Sequence, residues 1–328
     1  MDKRITLVSA LIILLIVTLY FVISNQQKRG ASKNLTATMA NWDRLSPYPI
    51  ADALLDIQLD KPTTLNQWQS EYVLRAQEMK NEFSLHLKHF KRAEADLAHP
   101  EFAIHLDRLI QLAHSPQHNR FLPVTLAHFS VNDQLFDLII EKYRNTNTLP
   151  PQSFIDYIAG MDLHENLART FQSQAAMLVF FTTSFVNDHY AVKDEQHSWS
   201  DADVAIFLET LYPYLQNLKE QSTSFDMVDI LVPTPQWAPI TRKNLGILHA
   251  AIRFQDQLLT QQAHALLAFK LRAHKIKTGS YPSDLASLKS DWNHLISINQ
   301  IGYSTNGSSF TLTTDAPASQ TTHTWTWN

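Results

Sequence analysis

The chain has no cysteine. Disulfide scaffolds, thiolate metal centres and cysteine nucleophiles are therefore excluded. Glycine is almost as scarce, with six in 328 residues, at positions 30, 160, 246, 279, 302 and 307. A dinucleotide-binding turn or a nucleophile elbow needs glycines roughly two to four residues apart, where the backbone turns sharply or approaches a phosphate. No pair here has that spacing. Gly302 and Gly307 stand at P-loop spacing, but Ser308 and Ser309 follow where a lysine must reach the phosphates. His164-Glu165 opens like a zinc-protease helix, yet position 168, where the second histidine would stand, is Ala168. The net charge is -4, so no basic surface for nucleic acid is expected.

With 45% hydrophobic and 18% charged residues, the chain is long enough to bury a core in one large or two smaller domains. The low glycine count favours helices over the turns of an all-β architecture.

From Ile5 to Ile23 no charge interrupts a run that is apolar apart from Thr6, Ser9, Thr18 and Tyr20. At 1.5 Å per residue such a run is about long enough to cross a hydrocarbon layer. A cleaved signal peptide is the competing reading, but its apolar core is about 7 to 15 residues and leads to a small-x-small site. This run is longer and enters Ser24, Asn25, Gln26 and Gln27. The expectation is an uncleaved anchor touching lipid through residues 5–23. Lys3 and Arg4 precede it and Lys28, Arg29 and Lys33 come after it, so flanking charge does not orient it. A short tail inside and the long body outside is the favoured arrangement, with a cytosolic body as the other.

The remaining pattern predicts residues 1–27 as tail and anchor, 28–46 as linker, 47–240 as a helical domain, and 241–328 as a long helix with a β-hairpin subdomain. Leu65, Trp68, Tyr72, Met79, Phe83, Leu87 and Phe90 form the stripe of an amphipathic helix over 64–96. Further helices are expected over 100–114, 131–145, 152–158, 162–187 and 201–221. Pro116, Pro123 and Pro150-Pro151 serve as separators, and Ser200 as an N-cap. Met177–Phe185 is strongly apolar but too short to span a bilayer, which makes it a core helix. A helix over 241–278 carries two apolar stripes, through Leu245, Leu248, Ile252, Leu259 and Leu266 and through Ile247, Phe254, Leu258, Ala265 and Phe269. It is expected to be packed on both sides. Ile298–Thr305 and Phe310–Thr314 alternate around Asn306-Gly307, a hairpin signal, and Thr322–Trp327 offers a third strand. The fold class is mainly α, with a small C-terminal β-hairpin or three-stranded sheet.

Fifteen histidines invite a metal hypothesis. Glu82, His86 and His89 share one helical face at i, i+4 and i+7, a ligand set that zinc accepts. Charged neighbours on that face make a solvated surface the favoured reading, so no metal, cofactor or catalytic residue is assigned. His114 and His118 flank Pro116 and have no assured helical spacing. Charge is uneven: residues 186–229 carry nine acids and two lysines, whereas 241–278 carry seven bases and one acid. These sectors either face one another or solvate their own surfaces. The sharper reading is that Lys270, Arg272, Lys275 and Lys277 meet an acidic partner or lipid headgroups.

Ala265–Leu285, with its long Ala/Leu helix, basic last turn and Gly279-Ser280-Tyr281-Pro282, resembles the C-terminal pattern of type II secretion pseudopilins and of related membrane-anchored bacterial proteins. Leu285 and Leu288 would form the short helix of that pattern. Tyr303, Asn306, Gly307, Phe310 and Leu312 would form its hairpin. Gly279 is suited to the left-handed conformation that stops a helix. The resemblance covers about fifty residues. The Gly-Phe start and early glutamate of a pseudopilin are absent near Ile5. The resemblance implies a bacterial, envelope-facing, non-enzymatic protein. With the anchor and the lack of a catalytic motif, the expectation is an inner-membrane protein whose periplasmic body binds or scaffolds a protein partner. A Trp325- and Trp327-bearing strand edge would be available for pairing. The alternative is a membrane-tethered metal-dependent hydrolase using Glu82, His86 and His89.

Overall fold

A computed structural model describes residues 16–23, 26, 35, 37–44, 49–50, 65–92, 100–114, 122–183, 201–212, 238–285, 288, 301–316 and 321–327. The protein is mainly helical, with a small antiparallel sheet at its C-terminal end. The helices are α1 (Leu65–Arg92), α2 (Pro100–His114), α3 (Leu122–Arg144), α4 (Gln152–Ala159), α5 (Leu163–Thr183) and α6 (Pro239–Thr278). Residues 16–23, 37–44 and 201–212 are also helical. The strands are β1 (Ile301–Thr305), β2 (Phe310–Ala316) and β3 (Thr321–Trp327).

Prolines mark helix starts here. Pro100 and Pro239 open α2 and α6, and Pro123 lies in the first turn of α3. A first-turn proline costs nothing because its missing N–H would have no intrahelical acceptor. Hence α3 begins at Leu122, well before the expected residue 131, and Pro123 sits inside the helix instead of separating it from an earlier segment. The added turns bury Val124, Ala127 and Phe129.

The chain divides into two compact units. One holds Met1–Lys61, Gln172–Lys219 and Val228–Ile247; the other holds Pro62–Phe171, Glu220–Met227 and Leu248–Asn328. The division runs through α5 and α6. In the first unit Trp42 is buried edge-on to Tyr212, with ring centroids 6.5 Å apart. Met177, Leu178 and Val179 are buried, as a core helix requires. Ala238 precedes α6 and has no capping side chain, so Asp203 from the neighbouring helical residues caps it instead. Its Oδ1 accepts the Thr241 backbone N–H at 2.8 Å, and its carbonyl accepts the Thr241 hydroxyl at 2.6 Å.

The second unit is organised on residues 248–278 of α6. From Leu258 to Phe269 every residue except the half-buried Leu259 is buried, including Thr260, Gln261, Gln262 and His264. Buried amides need partners. Gln257 and Gln261 donate to Asp133 on α3 at 2.8 and 3.0 Å, and Gln262 donates to the carbonyls of Ile158 and Met161. These bonds fix which turn of α6 meets each neighbour, while apolar burial supplies most of the stabilisation, about 1.5 to 3 kcal/mol per large side chain.

The sheet order is β1-β2-β3, with Tyr303 opposite Leu312 and Leu312 opposite Trp325. Phe310, Leu312, Thr314 and Trp327 are buried on one face, while Gly302, Ser304 and Thr324 are exposed. The Phe310 and Trp327 rings stack at 6.0 Å, and Phe269 meets Trp327 edge-on at 5.9 Å. A Cβ on Gly302 would stand 2.2 Å from Thr313 Oγ1, so this cross-strand position takes no larger residue unless Thr313 rotates.

Gly279 stops α6 at φ 89°, with its N–H on the Lys275 carbonyl at 2.7 Å. Tyr281 then folds back onto Phe310, 4.7 Å between centroids. The β1–β2 connection is a four-residue loop and not a two-residue turn, because Thr305 pairs with Phe310. The Asn306 carboxamide oxygen accepts the N–H groups of Ser308 and Ser309, at 3.0 and 2.7 Å, which closes the loop. Residues 283–285 and 288 are bends, and the Leu288 N–H donates to the Leu285 carbonyl at 3.0 Å.

Of the expected anchor, residues 5–15 lie outside the described residues. Residues 16–23 are helical, with Ile16, Leu19 and Phe21 each 60% exposed. Among the described residues no helix is long and apolar enough to cross a membrane.

Candidate functional site

Helices α1 and α2 bury Phe83 and Phe90 on one side and Leu106, Leu109 and Ala113 on the other, at the spacings of facing helical stripes. Arg108 ion-pairs with Glu82, whereas His105 reaches His86 and His89. Rising numbers on α2 thus meet falling numbers on α1, and the helices run antiparallel.

Five polar side chains meet along the rim of this pair. The His89 and His105 rings stack at 5.4 Å with an interplanar angle of 13°, and the His86 and His105 rings lie 5.8 Å apart. The Nδ1 atoms of His86 and His105 are buried and make no hydrogen bond among the described residues. Partial burial holds the His86 ring below its ordinary pKa. Arg108, His105 and His89 push the same way, and Glu82 opposes them.

Of the candidate ligands, Glu82 pairs with Arg108 at 2.5 Å. Among the described residues no group of three histidine, aspartate or glutamate side chains is placed to hold a metal ion. What the fold adds is His105. Its signal in the sequence is a histidine one turn before Arg108, which acquires meaning only once the antiparallel pairing is known.

Other histidines make contacts elsewhere in the fold. His164 Nδ1 meets the Gln255 amide at 3.1 Å, which makes it a core contact and not the start of a metal helix. His114 lies edge-on to Tyr157 at 5.9 Å, and His118 lies outside the described residues. His128 is fully buried, and burial pulls it down to about 4 despite a bond to the Ala113 carbonyl. The basic end of α6 is partly turned inward. Arg272 is buried over the Trp327 ring, and Lys275 donates to the Ser308 carbonyl at 2.7 Å while lying over Tyr281. Trp327 is buried against Phe269 and Trp325 meets His264 at 4.8 Å, so both indoles pack on α6, while β3 remains an outer strand of the sheet.

No protein-family model matches the chain, and neither a curated protein nor a solved structure matches it.

Proposed function

We propose that the protein is a single-pass, membrane-anchored helical module that binds or scaffolds a protein partner, with its body on the periplasmic side of a bacterial inner membrane. The observation that carries this reading is the helical stretch 16–23. It continues the uncharged run from Ile5, and its large apolar side chains from Ile16 to Ile23 are 48–60% exposed. Such side chains are disfavoured in water and suited to lipid.

Extraction of membranes at alkaline pH tests the anchor: the full chain stays in the pellet, and a chain lacking residues 1–27 moves to the supernatant. Protease added outside the intact inner membrane should digest the body. Crosslinking in native membranes should then capture one recurrent protein. A full chain that is released with the supernatant would end the proposal.

A further inference from the structure

The rim of the α1–α2 pair concentrates three imidazoles and a guanidinium around one carboxylate, an arrangement that the anchor and partner readings do not use. We propose that the His86–His89–His105 cluster is a proton-operated latch: neutral rings stack and close α1 on α2, and protonation drives the two helices apart.

The charge balance gives the direction. With all three rings neutral, Glu82 and Arg108 cancel as an ion pair. When the rings are protonated, four positive groups face the single Glu82 carboxylate, which Arg108 already occupies. From α1, Glu82 and His89 face His86; from α2, His105 and Arg108 do. Asp107, two residues from His105 on α2, accepts the Ser153 hydroxyl of α4 at 3.3 Å and keeps its negative charge. Helix α3, which also packs on α1, brings another cation, Lys142, to the Phe90 ring at 5.8 Å.

Geometry makes the cost specific to the closed state. The stacked His89 and His105 rings lie 13° from parallel, a contact that two imidazolium ions oppose. The buried Nδ1 atoms of His86 and His105 would each gain a proton with no acceptor bonded to them among the described residues. In an opened pair both Nδ1 atoms are hydrated, so a proton there finds water as its acceptor. The unfavourable charging of His86 in the closed form is consistent with this. Acid therefore favours opening, by up to about tenfold for each unit by which the His86 ring is held below its open-state value. The ion pair of Glu82 with Arg108 and the Phe83, Leu106 and Leu109 contacts re-form as the pH returns to neutral.

Hydrogen exchange of the full chain, corrected for the intrinsic pH dependence of amide exchange, reads the latch. Between about pH 7.5 and pH 5.5, peptides from α1 and α2 should exchange about tenfold faster relative to those from residues 248–278 of α6. His86→Gln with His105→Gln removes the titrating rings and should abolish that difference while keeping slow exchange at pH 7.5. If the double variant does not fold at pH 7.5, by circular dichroism, the exposed His89→Gln carries the test and should reduce the response. A response of native size in the variant that folds would overturn the proposal. So would uniform exchange along the native chain, or a stoichiometric zinc that is lost on His105→Gln.

Discussion

His264 on α6 and Thr314 on β2 meet at 2.6 Å between Nε2 and Oγ1, both side chains buried, and this bond registers the C-terminal sheet on the central helix. Trp325 from β3 lies edge-on to the same imidazole, so one ring contacts two strands. Thr314→Val would keep the shape and remove the hydroxyl that Nε2 bonds. The expected loss is about 1 to 3 kcal/mol in urea unfolding. Adding His264→Leu should recover part of that loss, since both polar atoms are then gone. Additive losses across the double-mutant cycle would show that the two groups are not coupled.

Acid sensitivity should centre on His128. Its folded-state pKa of about 4 lies below the ordinary 6.5, so the unfolded chain takes the proton more readily. Stability is then complete above about pH 6.5 and declines as the pH falls toward 4, by a total of about 3 kcal/mol. His164, also held low by burial, adds in the same direction. His128→Leu should flatten the pH dependence of the urea midpoint over this range, whatever it does to stability at neutral pH. An unchanged slope would place the acid response elsewhere.

Much of the secondary structure is legible in the sequence because it rests on local pattern. The stripe through Phe83 and Phe90, the stop at Gly279 and the alternation around Leu312 all act within a few residues. The start of α3 is not legible in this way, because Pro123 has the look of a breaker, whereas position within the helix decides what a proline does. The histidine cluster is only half legible. His86 and His89 share a helix face, but His105 joins them through the antiparallel packing of α2, which no spacing in the sequence encodes. Likewise Arg272 reads as surface charge, and only the tertiary fold turns it inward.

The start of α6 depends on a distant carboxylate. Ala238 has no side-chain acceptor, and Asp203 fills the gap by accepting the Thr241 N–H at 2.8 Å. Asp203→Ala should cost about 1 to 2 kcal/mol, and Asp203→Asn less, because the amide oxygen can still accept. Exchange should accelerate first at the amides of residues 240–243. An asparagine variant as damaged as the alanine variant would argue that charge, and not acceptance of this bond, is what Asp203 contributes.

Arg272 closes the far end of α3. Its guanidinium donates to the carbonyls of Arg144, at 3.0 Å, and Thr146, and it lies over the Trp327 ring at 5.6 Å. Carbonyls at a helix C-terminus lack intrahelical donors and carry the negative end of the dipole, so a buried cation is favoured there although burial lowers its pKa. A planar fork serves two carbonyls and the indole face together. A lysine ammonium on its flexible stem cannot. Arg272→Lys should therefore lose about 2 kcal/mol in spite of keeping the charge, and Arg272→Met a similar amount by leaving both carbonyls without a donor. The measurement is the urea midpoint, with the near-ultraviolet signal of the tryptophans reporting the Trp327 contact. A lysine variant of native stability and native tryptophan signal would mean that charge alone holds this corner, and the forked geometry would lose its explanatory role.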